Sequence, residues 1–174
     1  MKGFPVFVAA FALLAAGCGS SSTSPSTTTP VKPTLTATLS PSNEVPAITS
    51  GPEASGTGTV TITLDTTTNA AGQITAATAT FAVTLSGFPA NTPINAAHIH
   101  VGANTCACPV AVSVGLTSGA NVLANGSGSF TVSGVNVTAD LASAILANPA
   151  GYYFNVHSAL NPGGVARGTL VRAT

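Results

Sequence analysis

Charge is what this sequence has least of. It carries four Lys or Arg and four Asp or Glu in 174 residues, with a formal net charge of zero, where an ordinary soluble domain is about one quarter charged. Without a basic surplus there is nothing to neutralise a phosphate backbone or anionic headgroups, which excludes electrostatic binding of nucleic acid or of a bare membrane surface. Glu44, Glu53, Asp65 and Asp140 stand singly along the chain, so a calcium cage, which gathers several carboxylate oxygens, is excluded as well. There is no Trp, and the single Met is residue 1. A chain processed beyond that point has no thioether to serve as the axial ligand of a blue-copper site. The usual catalytic signatures are also missing: there is no G-x-S-x-G elbow, no H-E-x-x-H, no phosphate-binding glycine loop and no neighbouring pair of carboxylates. The expectation is a protein that is not an enzyme and serves a structural, adhesive or ligand-binding role.

Ala, Thr, Ser, Gly and Val fill the space that charge leaves, and the first segment reads as an address. Met1 and Lys2 precede an apolar run from Phe4 to Ala16, the size of a signal-peptide core and too short to span a bilayer. It ends Leu14-Ala15-Ala16-Gly17-Cys18. Small residues before a cysteine resemble the lipobox of bacterial lipoproteins, although Ala15 stands where Leu is usual. That resemblance implies removal of residues 1–17, acylation of Cys18 and display on the bacterial cell envelope, facing the periplasm or the exterior. Residues 18–33 are mostly Ser, Thr and Pro, with almost nothing to bury, and read as a tether.

From Thr34 the pattern acquires a period of two. Leu35, Ala37 and Leu39 alternate with Thr and Ser, and Val60, Ile62 and Leu64 repeat the pattern within 57–64, as half-buried strands require. Further strands are expected over 73–85, 94–101, 110–116, 128–132, 152–157 and 165–172, with a turn-rich link over 65–72. One helix is expected over 139–147, capped by Thr138 and stopped by Asn148-Pro149, with Leu141, Ala144 and Ile145 at helical spacing. Strands at these intervals predict an all-β fold for 34–174, an antiparallel β-sandwich or barrel of immunoglobulin or superoxide-dismutase type with one short crossover helix.

Four segments carry a more specific likeness: Leu39-Ser40-Pro41-Ser42-Asn43-Glu44-Val45-Pro46, Ala97-His98-Ile99-His100, Tyr153-Phe154-Asn155-Val156-His157 and Gly164-Val165-Ala166-Arg167-Gly168. In order and spacing they resemble the CHRD domain, named for chordin, over Thr34 to Leu170. The resemblance implies an all-β extracellular domain, usually without an assigned activity. In chordin the domain belongs to a protein that binds secreted signalling proteins, a partner class that does not transfer to a bacterial lipoprotein. A protein or envelope component remains the expected ligand, and no motif names it. The sequence departs from the family pattern at Cys106-Ala107-Cys108.

The residues with chemistry are few. His98 and His100, two apart in a strand, share a face about 7 Å apart at Cα, and His157 lies in another strand. If that strand pairs nearby, the three imidazoles converge as ligands for copper or zinc. The alternative is that they are partly buried rings bonded to neighbours such as Asn155 or Arg167. The converged arrangement carries the rival reading of the function, a small copper- or zinc-binding metalloprotein with superoxide-dismutase-like oxidoreductase chemistry, although a binuclear centre of that type would need more imidazoles than three. With Cys18 acylated, Cys106 and Cys108 are expected to form a disulfide in an oxidising compartment. With those sulfurs paired, their replacement is expected to matter little to a histidine site. Thiol redox chemistry or metal ligation by the two sulfurs is the alternative. Glu44 and Arg167, both in family-like segments, are expected to form a structural charge pair.

Overall fold

A computed structural model describes residues 1–3, 31–103 and 105–173. Residues 4–17 of the proposed leader, Cys18 and most of the tether lie outside them. Among the described residues no helix is long and apolar enough to cross a membrane.

The unit from Val31 onward is built from two antiparallel sheets. Its strands are β1 (Thr34–Leu39), β2 (Thr57–Thr68), β3 (Ile74–Ser86), β4 (Thr92–Val101), β5 (Val110–Ser113), β6 (Asn121–Leu123), β7 (Gly128–Val137), β8 (Tyr152–Ser158), β9 (Ala166–Thr169) and β10 (Val171–Arg172), with α1 (Ala139–Ala147) between β7 and β8. One sheet runs β10-β1-β2-β3-β7; the other runs β5-β4-β8-β9, with β6 also paired to β4. This is the expected all-β sandwich. The alternating residues dictate it: Leu35, Ala37, Leu39, Val60, Ile62, Leu64, Phe81, Val83 and Leu85 turn one face of the first sheet inward. Ala97, Ile99, Phe154 and Val156 answer from the second. Phe81 and Phe154 meet across the gap with ring centroids 5.9 Å apart, and burial of each such ring contributes roughly 2–3 kcal/mol.

The boundaries differ from the expected ones for local reasons. Strand β2 continues through Asp65 to Thr68, and the reversal is made by Asn69, whose side-chain oxygen accepts from the amides of Ala71 and Gln73. Strand β7 likewise runs on to Val137, β5 stops at Ser113, and β6 was not expected. The segment foreseen as one strand over 165–172 is two. Strand β9 pairs with β8 in one sheet, and after the buried Leu170 the chain crosses to pair β10 with β1 in the other. Close by, Ser40 and Arg167 exchange backbone hydrogen bonds of 3.0 and 3.3 Å. Gly168 is required there, since a Cβ would collide with the Thr38 carbonyl oxygen. The helix carries β7's sheet over to β8's, and Thr138 caps it by accepting from the Leu141 amide at 3.3 Å. Its buried residues are Ala142 and Ile145, with Leu141 only partly buried and Ala144 exposed.

Candidate metal centre

The register of the second sheet assembles a polar cluster on the side away from the core. In the β4–β8 pairing, Ala96 lies opposite His157, His98 opposite Asn155 and His100 opposite Tyr153, and across β8–β9 Asn155 lies opposite Arg167. Because neighbours in a strand point to opposite faces, the alternation that sends Ala97, Ile99, Phe154 and Val156 into the core sends His98, His100, Tyr153, Asn155, His157 and Arg167 outward. This outer face is nevertheless covered. Chain segments around Glu44, Cys106–Cys108 and Pro162 fold over it, leaving His100, His157, Asn155 and Arg167 buried and His98 half-buried.

One candidate ligand nitrogen from each of His98, His100 and His157 lies within 4.8 Å of the others. A tetrahedral zinc or copper ion with bonds near 2.0–2.1 Å requires nitrogens about 3.3 Å apart, so the widest separation would have to close by about 1.5 Å on binding. His98 Nδ1 already lies 2.9 Å from His157 Nε2. The outer nitrogens fix the tautomers. His100 Nδ1 is 2.6 Å from the Cys108 carbonyl oxygen, and His157 Nδ1 is 2.9 Å from that of Pro162. A carbonyl only accepts, so both Nδ1 atoms carry the hydrogen, and in the neutral tautomer this leaves Nε2, with its lone pair, facing inward. Outer-shell carbonyls of this kind commonly orient metal-bound histidines.

Asn155 stands between the rings, with Oδ1 3.0 Å from His100 Nε2 and 3.1 Å from His157 Nε2. Acceptors then face acceptors. The contact becomes favourable when the amide turns its NH2 group toward the rings, or when a cation lies among them. Burial, followed by the neighbouring His157 and His100, lowers the pKa of His98 to about 4. Burial also lowers that of His157, against the opposing hydrogen bond to Pro162. Both rings are therefore neutral at pH 7, the form that ligates.

Around this centre lies a frame. Arg167, 2 % exposed, donates from Nε and Nη2 to Glu44 Oε2, each at 2.6 Å, and from Nη1 to the Cys106 carbonyl at 2.7 Å. Its guanidinium lies 4.5 Å from the centroid of Tyr153, whose other neighbour is His100, stacked at 4.8 Å and 3°. Burial raises the Glu44 carboxyl above its usual range, an effect that Arg167 partly offsets. Cys106 and Cys108 are joined as a disulfide with Cα atoms 5.2 Å apart.

All the expected site residues within the described chain thus meet in one region; Cys18 lies outside it. Sequence reasoning missed Glu53, which is 3 % exposed. Its Oε2 accepts from Ser158 Oγ at 2.7 Å and Asn161 Nδ2 at 2.6 Å, holding the turn that presents the Pro162 carbonyl. An acid in a turn-rich stretch of a chain with so few charges was the available signal. Tyr153 was also missed; it lies at the register position opposite His100.

These features define a class: an antiparallel β-sandwich domain with a loop-covered histidine cluster on the outer face of one sheet. The chain belongs to the CHRD domain family, whose model matches residues 35–170. No curated protein and no solved structure matches it.

Proposed function

We propose that the protein is a noncatalytic, lipid-anchored β-sandwich domain of the bacterial cell envelope that binds one copper or zinc ion through His98, His100 and His157. The carrying observation is the convergence of three ring nitrogens within 4.8 Å, two of the rings being oriented by backbone carbonyls on their far nitrogens. Three imidazoles without a thiolate suit zinc or copper. The noncatalytic part is supported by the absence of the usual catalytic motifs and by the carboxylates' structural ties: Glu44 Oε2 accepts from Arg167, and Glu53 Oε2 from Ser158 and Asn161. The half-buried His98 gives an ion a way in from solvent. The address rests on the lipobox-like residues before Cys18, with the Ser/Thr/Pro stretch as spacer.

The test is equilibrium dialysis of metal-free protein against Zn(II) and Cu(II) at neutral pH, with elemental analysis. About one ion per chain is expected, and exchanging any one of the three histidines for Ala weakens binding by more than the roughly 10- to 100-fold that loss of an outer-shell partner costs. Absence of saturable binding, or equal binding by a variant lacking all three histidines, would contradict the proposal.

A further inference from the structure

The turn at Cys106-Ala107-Cys108 forms one wall of the centre, and its backbone does the holding. The Cys108 carbonyl fixes His100 Nδ1 at 2.6 Å, and the Cys108 amide donates to Tyr153 Oη at 3.1 Å. The Cys106 carbonyl accepts from Tyr153 Oη at 3.1 Å and from Arg167 Nη1 at 2.7 Å. Beyond these contacts, the described residues of the turn have little else to fix them. Among the described residues, Gly102 is tied by its amide to Gly151 and Pro109 by its carbonyl to Val101, and no backbone–backbone hydrogen bond joins the residues between them. The remaining constraint is the disulfide, seated against Gly102, where a Cβ would come 2.5 Å from Cys108 Sγ and 3.1 Å from Cys106 Sγ. Both cysteines are half-buried and Ala107 is exposed, which leaves the bond open to attack.

We propose that the Cys106–Cys108 disulfide is a redox switch on metal affinity, tight when closed and weak when open; this rests on the three-histidine reading above. The natural reductant is a dithiol. Its thiolate attacks one sulfur, the S–S bond breaks, and its second thiol releases the mixed disulfide. Cys106 and Cys108 together gain two electrons and two protons, and the dithiol leaves as a cyclic disulfide. Opening the ring frees the Cys108 carbonyl from its position on His100, so the ring is no longer held with Nε2 facing the other two. Loss of such an outer-shell partner lowers metal affinity about 10- to 100-fold. The sulfurs need not touch the ion, which reverses the expectation that replacing them matters little. Linkage requires the converse: a bound ion protects the disulfide by the same factor, equivalent to about 30 to 60 mV for a two-electron couple.

The experiment compares Zn(II) affinity of the full oxidised protein with the same protein reduced by a phosphine. The phosphine becomes its oxide, water supplying the oxygen and the two thiol protons, and is removed anaerobically before titration. A Cys106→Ser/Cys108→Ser variant, treated in parallel, separates loss of the bond from any effect of the reductant. Expected are 10- to 100-fold weaker binding by the reduced protein and the variant, and no response of the variant to phosphine. Equal affinity in both states overturns the switch while leaving the histidine site standing. Tighter binding on reduction also overturns it, by making the thiolates ligands. No binding by the oxidised protein overturns both proposals.

Discussion

Exchanging Glu44 for Gln tests the frame that supports the outer face. Arg167 is 2 % exposed and directs both Nε and Nη2 at one Glu44 oxygen, each at 2.6 Å. Gln keeps the shape and an acceptor but removes the countercharge, and a guanidinium does not escape by losing its proton. A buried ion pair broken from one side costs about 3–5 kcal/mol, a large part of the 5–15 kcal/mol that holds a typical domain folded. Arg167→Met is the complementary break. Its cost is moderated because Glu44 is displaced by burial toward the protonated form, and a carboxyl left alone takes up a proton. The double variant has no stranded charge, so its loss falls short of the summed single losses by at least about 2 kcal/mol. Urea unfolding followed by far-ultraviolet circular dichroism reads all four proteins. A coupling energy below about 1 kcal/mol would refute the reasoning, since that is the range of a solvent-exposed pair.

Three further perturbations test other parts of the reading, two from the geometry and one, at Cys18, from the sequence. Gly164→Ala sets a Cβ 2.7 Å from Glu44 Oε2 and 2.9 Å from Asn155 Nδ2 at a residue with φ of +133°; a loss of about 1–3 kcal/mol is expected, and an unchanged Tm would show that the frame tolerates a side chain there. Metal-free protein should lose stability as pH falls from about 6.5 toward 4, because His98 with its folded pKa of about 4 stays neutral while the unfolded chain takes up the proton. Discounted for its part exposure, His98 contributes about 1–2 kcal/mol to that loss; stability that is unchanged, or that increases as pH falls through this window, would contradict it. Cys18→Ser should release the protein from membranes and abolish fatty-acid labelling, whereas unchanged retention would remove the lipoprotein reading.

Much of the fold was legible because a half-buried sheet writes its geometry into alternate residues. Val60-x-Ile62-x-Leu64 and Phe81-x-Val83-x-Leu85 each show it, and the cap and stop of α1 were equally explicit. What the pattern does not encode is where a strand changes partner. Nothing in Ala166–Arg172 announces that β9 and β10 pair in different sheets, because that break is decided by the meeting of β1 and β9 at Ser40 and Arg167. The histidines could be assigned to one face from spacing alone. Their convergence with His157 depended on the β4–β8 register, which places Ala96 opposite His157, a non-local fact. The turns over the outer face were the least legible part, since the carbonyls of Cys108 and Pro162 act through the backbone and leave no trace in residue type.

The most direct test of the metal centre is a crystal structure of the Zn(II)-soaked protein, with anomalous data collected on both sides of the zinc edge. The account predicts one anomalous peak about 2.0–2.1 Å from His98 Nδ1, His100 Nε2 and His157 Nε2, with the Cys108 and Pro162 carbonyls still on the far nitrogens of His100 and His157. A peak elsewhere, or rings bonded only to one another and to Asn155 in the presence of saturating zinc, would contradict it.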